Sequence, residues 1–367
     1  MGDTQELKTL PLQDFHEAAK ARFGAFAGWN MPITYPLGVM KEHLHTREHV
    51  GLFDISHMKL IEISGPDAIT LLAQLCPLDP SVLKNGQSKY TFFLSDSGGI
   101  LDDIIVTRLG DDRFIIVANA GNVDADIEHL NEAVSGKTVK IEPLERVFLA
   151  IQGPEAQEVV SNLDLPADEL SFMTGVEPKE GWFMTRSGYT GEDGFEIGLP
   201  IEEGRELVEK LLADERVAWI GLAARDSLRL EAGLCLHGQD ITPETDPVSA
   251  GLSWVISKPV REKAEFKGAQ AVLAAIANGT LAKRVGLKPE GRQPVRAGAE
   301  LIDENGHQIG TVTSGGFGPT AGCPVAMGYV EKSLASPGTR IFAEIRGNKV
   351  PVDVVTLPFI PHRYRKG

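Results

Sequence analysis

Cysteine is scarce in this chain. Cys76, Cys235 and Cys323 are the three among 367 residues, odd in number and far apart. That argues against a disulfide framework and for a reduced, cytoplasmic setting. Basic charge is short as well: 36 Lys and Arg against 51 Asp and Glu, a formal net charge of −15. Nucleic-acid binding needs a basic face, and no charge cluster offers one. No apolar run is long enough to span a bilayer. The opening segment "MGDTQELKTLP" has neither an apolar core nor an Arg-rich amphipathic pattern, so no secretory or transit signal is expected. Chemical devices are missing too. There is no glycine fingerprint for a dinucleotide and no Walker loop. There is no zinc-spaced Cys pair and no Gly-x-Ser-x-Gly elbow. These absences weaken oxidoreductase, NTPase and esterase readings, and no metal site is expected.

What is present is an ordinary core-forming composition, 42% hydrophobic, over a length that suggests two or three domains. Strands and helices alternate up to about residue 280. "LIEISGPDAITLLAQL" reads as strand, Gly65-Pro66, helix, and "VFLAIQGPEAQEVVSNL" repeats it at Gly153-Pro154, with Pro where a helix can begin. A hairpin follows each unit, then a helix near 123–134 and near 201–212. The pattern is a duplicated ferredoxin-like strand–helix unit, whose halves would meet around a ligand site. Asp103 and Glu196 each fall on the outgoing arm of a hairpin, which suggests that they are equivalent in the repeat. A helix is expected over Gly221–Leu236. Beyond Lys283, short strands punctuated by Gly, Asn-Gly and Pro predict a small all-β barrel. The fold class is thus α+β, with a region at 1–280 of two intertwined subdomains and a C-terminal β-barrel domain at 281–367.

Four stretches could carry chemistry. "GGILDDIIVT", Gly98–Thr107, sets two acids inside a strand. Strand alternation puts Asp103 with Leu101 and Ile105, and Asp102 with Ile100, Ile104 and Val106. Both faces are apolar, so at least one carboxylate is expected in a dry place, where a lone charge is costly. "SGYTGEDGFEIGL" ends on Glu196 between Phe195 and Ile197. A wet strand face would account for that acid, and so would a cavity where it accepts paired N–H donors from a heterocycle, with Tyr189 for stacking. "AARDSLRLEAG" places Arg225 and Arg229 on one helix face, as surface ion pairs or as a joint grip on a carboxylate. "EHLHTREHVGLFDISHM" holds His45 and His49 at i and i+4. A solvated helix face explains them better than a metal, which wants more ligands. His57 fits a core histidine or a site residue equally.

"FAGWNMPITY", "GLFDISHM", "GGILDDIIV", "RSGYTGEDGFE", "GLAARDSLRLEAG", "GLSWVI" and "TSGGFGPT" occur in order from Phe26 to Thr320. Together they resemble the aminomethyltransferase, or T-protein, family of the glycine cleavage system. The resemblance implies a ring-like arrangement around a tetrahydrofolate site. It implies transfer of a one-carbon unit from an aminomethyl group on the lipoyl arm of the H-protein to tetrahydrofolate, giving 5,10-methylenetetrahydrofolate, ammonia and dihydrolipoyl H-protein. It makes Asp103 the essential carboxylate. It puts folate contacts at Tyr90, Asn119, Tyr189, Glu196 and Arg225, with Met58 near the pterin. The family also uses an arginine near its C-terminus. The spacing of "PFIPHRYRKG" departs from the family form, and Arg363 is the choice, with Arg365 the alternative. A folate-binding scaffold and a flavin-free folate-dependent demethylase of the same fold are the competing readings.

Overall fold

The computed structural model describes residues 6–366, so the first five residues of the opening segment lie outside it. The strand Lys59–Ser64 shows how the sequence is used. Ile61 and Ile63 point to one face of a sheet and Leu60 to the other, as period-two alternation requires. On the first face lie the helices Ala68–Leu75 and Val123–Ala133, whose Leu71, Leu72 and Leu130 join Ile61, Ile63, Ile104, Val106, Phe114 and Ile116 in one core. The sheet runs Ser88–Leu94, Ile100–Gly110, Arg113–Ala118, Lys59–Ser64, Lys140–Leu144. Without its outer strand Ser88–Leu94, this is the 4-1-3-2 order of a ferredoxin-like unit.

The second sheet runs Thr174–Val176, Phe183–Arg186, Gly194–Leu199, Val147–Gln152, Val50–Asp54, Val217–Trp219. Val147, Leu149 and Ile151 point to the helices Ala156–Ser161 and Ile201–Leu212. Phe148 and Ala150 point the other way, onto Leu60, Ile115 and Val117 of the first sheet. The two units therefore share a buried seam. Gly65 and Gly153 open matching turns, at φ +127° and +139°, where an added Cβ would strike backbone oxygens of Thr138 and His49. The duplication is thus visible in the backbone.

One expectation is corrected, and one pairing crosses between the units. In the second unit, the place beside Val147–Gln152 that Lys140–Leu144 takes beside Lys59–Ser64 in the first is filled by Val50–Asp54, which comes from ahead of the first unit and pairs antiparallel. Val217–Trp219 pairs outside it, parallel. The topology also breaks the equivalence of Asp103 and Glu196. Thr185 pairs with Glu196 as Thr107 pairs with Ile115, so Glu196 corresponds to Ile115 and Asp103 lies on a different strand of its unit.

The expected helix over Gly221–Leu236 spans Leu222–Glu231 and stops. Gly233, at φ +68°, turns the chain, and the Leu234 N–H closes back on the Arg229 carbonyl. A last helix, Ala269–Asn278, ends at Gly279 (φ +78°). Six strands then close a barrel in the order Ala282–Pro289, Cys323–Glu331, Gln308–Gly318, Glu300–Ile302, Arg340–Ile345, Asn348–Val355. The barrel sits on helix Leu222–Glu231 through Leu230, Val325 and Met327.

Candidate active site

A cavity of about 1440 Å³ opens beside the seam between the two units. Its walls come from both sheets, the loop after Gly233 and the C-terminal tail. Met58, Tyr90, Asp103, Asn119, Tyr189, Glu196 and Arg225 all line it.

Alternation along Ile100–Gly110 separates the paired acids. Asp102 points to the helix side and is 0% exposed. It accepts from the Asn119 N–H at 3.1 Å, from Asn119 Nδ2 at 2.9 Å and from Asn122 Nδ2 at 2.6 Å. Asp103 points into the cavity. It accepts from the Tyr90 hydroxyl at 2.9 Å and from Asn119 Nδ2 at 3.0 Å. Burial pushes its carboxyl up to about 6, the neighbouring Asp102 charge acts in the same direction, and the Tyr90 hydrogen bond opposes them. A carboxylate in this state can stabilise positive charge and still exchange a proton near neutrality.

Across the cavity, Glu196 is 7% exposed and accepts from the Ser187 hydroxyl at 2.7 Å. The dry face, not the wet one, is the correct reading of this acid, and burial raises its pKa. Arg225 lies over the Tyr189 ring at 4.6 Å, with Nη2 3.6 Å from Met58 Sδ. Burial disfavours its charge, while Tyr189 and Glu196 favour it. The Tyr189 hydroxyl donates to the Cys235 carbonyl, which ties this wall to the loop after Gly233. The site is therefore polarised. A carboxylate of raised pKa stands on the first sheet, and an acid and an arginine stand on the second sheet and the helix behind it.

Arg229 does not share the work of Arg225. It turns to Asp240 at 2.6 Å, Asp226 at 2.7 Å and Ser314 Oγ at 2.9 Å, and so fastens the helix to the barrel. Arg363 and Arg365 do not line the cavity. The Arg363 guanidinium is drawn to buried Glu192 at 2.5 Å, and Arg365 to Gln157. Their tail nonetheless reaches the site, because His362, Tyr364 and Lys366 line it. His45 gives its Nε2 to the Arg216 carbonyl and His49 pairs with Glu155. His57 is buried outside the lining, edge-on to Phe26, and burial lowers its pKa to about 3.

Leu234, Cys235, Leu236 and His237 also line the cavity; the first three were hidden inside the expected helix and His237 lay just past its end. The "EAG" before them was the available signal, since Gly just past a periodic run marks a helix end. Trp254 lines the cavity while 65% exposed, near-parallel to Tyr90 with centroids 6.3 Å apart. No periodicity signals that role.

Comparisons with known proteins agree with this architecture. The GCVT N-terminal domain model matches residues 12–259, and the glycine cleavage T-protein C-terminal barrel domain matches 283–360. The mitochondrial aminomethyltransferase of Pisum sativum is 40% identical over 375 residues, covering 98% of this chain and 91% of the pea protein. That of Homo sapiens is 39% identical over 368 residues, with 98% and 91% covered. The crystal structure of glycine cleavage system aminomethyltransferase T from Bartonella henselae superposes with a TM-score of 0.97 at 59% identity, covering 98% of this chain and all of that one. Fold and relatives together define an enzyme, a transferase of aminomethyl groups. The chain belongs to the T-protein family of the glycine cleavage system.

Proposed function

We propose that this enzyme takes the one-carbon unit from the aminomethyl-lipoyl arm of the H-protein and gives it to tetrahydrofolate, yielding 5,10-methylenetetrahydrofolate, ammonia and dihydrolipoyl H-protein. The observation that carries this reading is Asp103: a cavity-facing carboxylate held by Tyr90 and Asn119, with its pKa raised to about 6 by burial.

The donor carbon sits between sulfur and nitrogen. Loss of ammonia needs a proton on that nitrogen and leaves positive charge at the carbon. The Asp103 carboxylate stabilises this charge strongly because the site is dry. Tetrahydrofolate supplies the ring nitrogen that takes up the carbon, and Asp103 accepts the proton that this nitrogen gives up; the C–S bond then breaks as a second folate nitrogen bonds the same carbon, and that nitrogen's proton goes to the departing thiolate, giving the dihydrolipoyl dithiol. Glu196 suits the amino edge of a pterin, since a buried carboxylate accepts paired N–H donors. Arg225 and Tyr189 form a flat cationic wall beside it. Asn119 and Tyr90 hold Asp103 in place. Cys76 and Cys235 are buried and all three cysteines are free, which suits the cytoplasmic location proposed.

Ammonia release from aminomethylated H-protein, with and without tetrahydrofolate, tests the reading. Strong folate-stimulated release is expected. Folate binding without release would point to a scaffold. Turnover of a small methyl or aminomethyl donor without H-protein would point to a demethylase.

A further inference from the structure

We propose that Asn122 and His237 are positioning residues for Asp103: a hydrogen-bonded clasp across a bulge in the strand Ile100–Gly110, holding that strand where its ladder does not. The proposal rests on the reading of Asp103 as the reacting carboxylate.

The strand needs such a hold. On one side it pairs with Ser88–Leu94, and the register slips there. Asp102 faces Phe93 and Ile100 faces Leu94, so Leu101 is left over. A bulge of this kind bends a strand and re-aims the side chains beside it. On the other side, pairing with Arg113–Ala118 begins only at Ile105 and Val117. Among the described residues, 100–104 have no partner strand on that side, and this is the stretch that carries both acids.

The chain that follows Ala118 takes over with side chains. Asn119 Nδ2 donates to the Asp103 carbonyl at 2.9 Å, and the Asn119 N–H donates to Asp102 Oδ2 at 3.1 Å. The Asn122 N–H donates to the Asn119 carbonyl at 2.9 Å, so the two asparagines sit in one turn.

Asn122 is the N-cap residue of helix Val123–Ala133, yet its side chain makes no cap hydrogen bond. Asparagine is favoured at an N-cap because its side-chain oxygen accepts from the N–H groups of the first turn. Here the amide is used elsewhere. Nδ2 donates one hydrogen to Asp102 Oδ1 at 2.6 Å and the other to His237 Nδ1 at 2.9 Å. His237 Nε2 donates to the Ile100 carbonyl at 3.1 Å. The two side chains thus grip both flanks of the bulge, Ile100 before Leu101 and Asp102 after it. His237 also belongs to the loop that lines the cavity, and the Tyr189 hydroxyl donates to the Cys235 carbonyl of the same loop. One loop therefore touches both walls, the acid wall at His237 and the Arg225–Tyr189 wall at Cys235. The clasp sets the spacing at which a reactant held by one wall meets Asp103 on the other.

Asn122→Ser, His237→Leu, His237→Gln and the double variant Asn122→Ser/His237→Leu test this. Serine can cap the helix, but its single O–H cannot serve Asp102 and His237 together. Asn122→Ser is expected to keep its urea midpoint and to lose about tenfold in kcat, with the KM for tetrahydrofolate changed by no more than about twofold. Glutamine offers an acceptor and a donor, so His237→Gln should recover most of the kcat that His237→Leu loses. Two side chains that act as one unit are not lost twice, so the double variant should be no slower than the slower single variant. Losses that multiply, an unchanged kcat in folded Asn122→Ser, a raised KM with kcat retained, or a folded glutamine variant as slow as the leucine variant overturns the proposal. If His237→Leu does not fold, the kcat of Asn122→Ser decides. Amide NMR of the 15N-labelled enzyme gives a reading without turnover. The Asn122 side-chain NH2 pair, assigned by its loss in Asn122→Ser, should shift in His237→Leu and return toward its place in His237→Gln. A pair unmoved in His237→Leu overturns the clasp. A wild type inactive with H-protein would instead refute the proposed reaction and leave the NMR test standing.

Discussion

At the scale of the residue, strand alternation makes the Asp102-Asp103 pair two different objects. Asp103→Asn removes the carboxylate that faces the cavity. Turnover is expected to fall by about two orders of magnitude or more. Asp102→Asn is expected to cost less, about tenfold, by loosening Asn119. Parallel kcat measurements check the order, and a larger loss at Asp102 refutes the assignment. The pH dependence follows from the same group. Asp103 must be ionised to act, so the rate should fall as pH drops through about 6. Stability runs the opposite way. The folded value of about 6 lies above the ordinary 3.8, so between them the folded state binds more protons than the unfolded state. This group's contribution is therefore most favourable below 3.8 and is lost as pH rises through 6, a cost on the order of 3 kcal/mol above that. Asp103→Asn should thus be more stable than wild type at pH 8, by about 1–2 kcal/mol in urea unfolding, while nearly inactive. Arg225→Ala should keep its fold and bind tetrahydrofolate more weakly, by about tenfold in calorimetry. Unchanged affinity would remove Arg225 from the site.

At the scale of the element, periodicity was legible and pairing was not. The alternation of Ile61 and Ile63 against Leu60, and the helix Ile201–Leu212, follow from the residues themselves. Nothing in "VGLFD" says that it pairs with Val147–Gln152, because a period-two pattern fixes a face and not a neighbour. The same limit produced the mistaken match of Asp103 with Glu196. The helix end at Gly233 was written in the chain but outweighed by the apolar run beyond it. Gly233 has φ +68°, and a Cβ there would come to 3.1 Å from the Leu357 side chain. Gly233→Ala should cost about 1–2 kcal/mol in urea unfolding. The loss should appear in ligand affinity too, because Leu234–His237 line the cavity. The residues brought together around the cavity were legible chiefly as a constellation of motifs. Taken singly, Glu196 and Arg225 had surface readings that only the packed structure removes.

At the scale of the whole molecule, the C-terminal tail is held down at several points. The Phe359 and Ile360 N–H groups donate to the Glu231 carbonyl, and the Arg363 N–H donates to the Gly191 carbonyl. Phe172 stacks on Tyr364 at 4.0 Å. Arg363 and Arg47 grip the same buried Glu192 oxygen, at 2.5 and 2.7 Å. Arg363→Ala should therefore loosen the tail that carries His362, Tyr364 and Lys366. A severalfold rise in the KM for tetrahydrofolate with kcat retained is expected. A loss of kcat alone would mean that Arg363 serves the chemistry instead. The borrowed strand Val50–Asp54 has a consequence in time. During synthesis it leaves the ribosome about 100 residues before the strand Val147–Gln152 that will flank it, a wait of roughly 5–20 s at ordinary elongation rates. Until then its apolar edge has no partner, and the second half of the chain, translated alone, would lack a central strand of its own sheet. The two halves are thus obliged to be born on one chain, in this order, or to meet as fragments before either is complete.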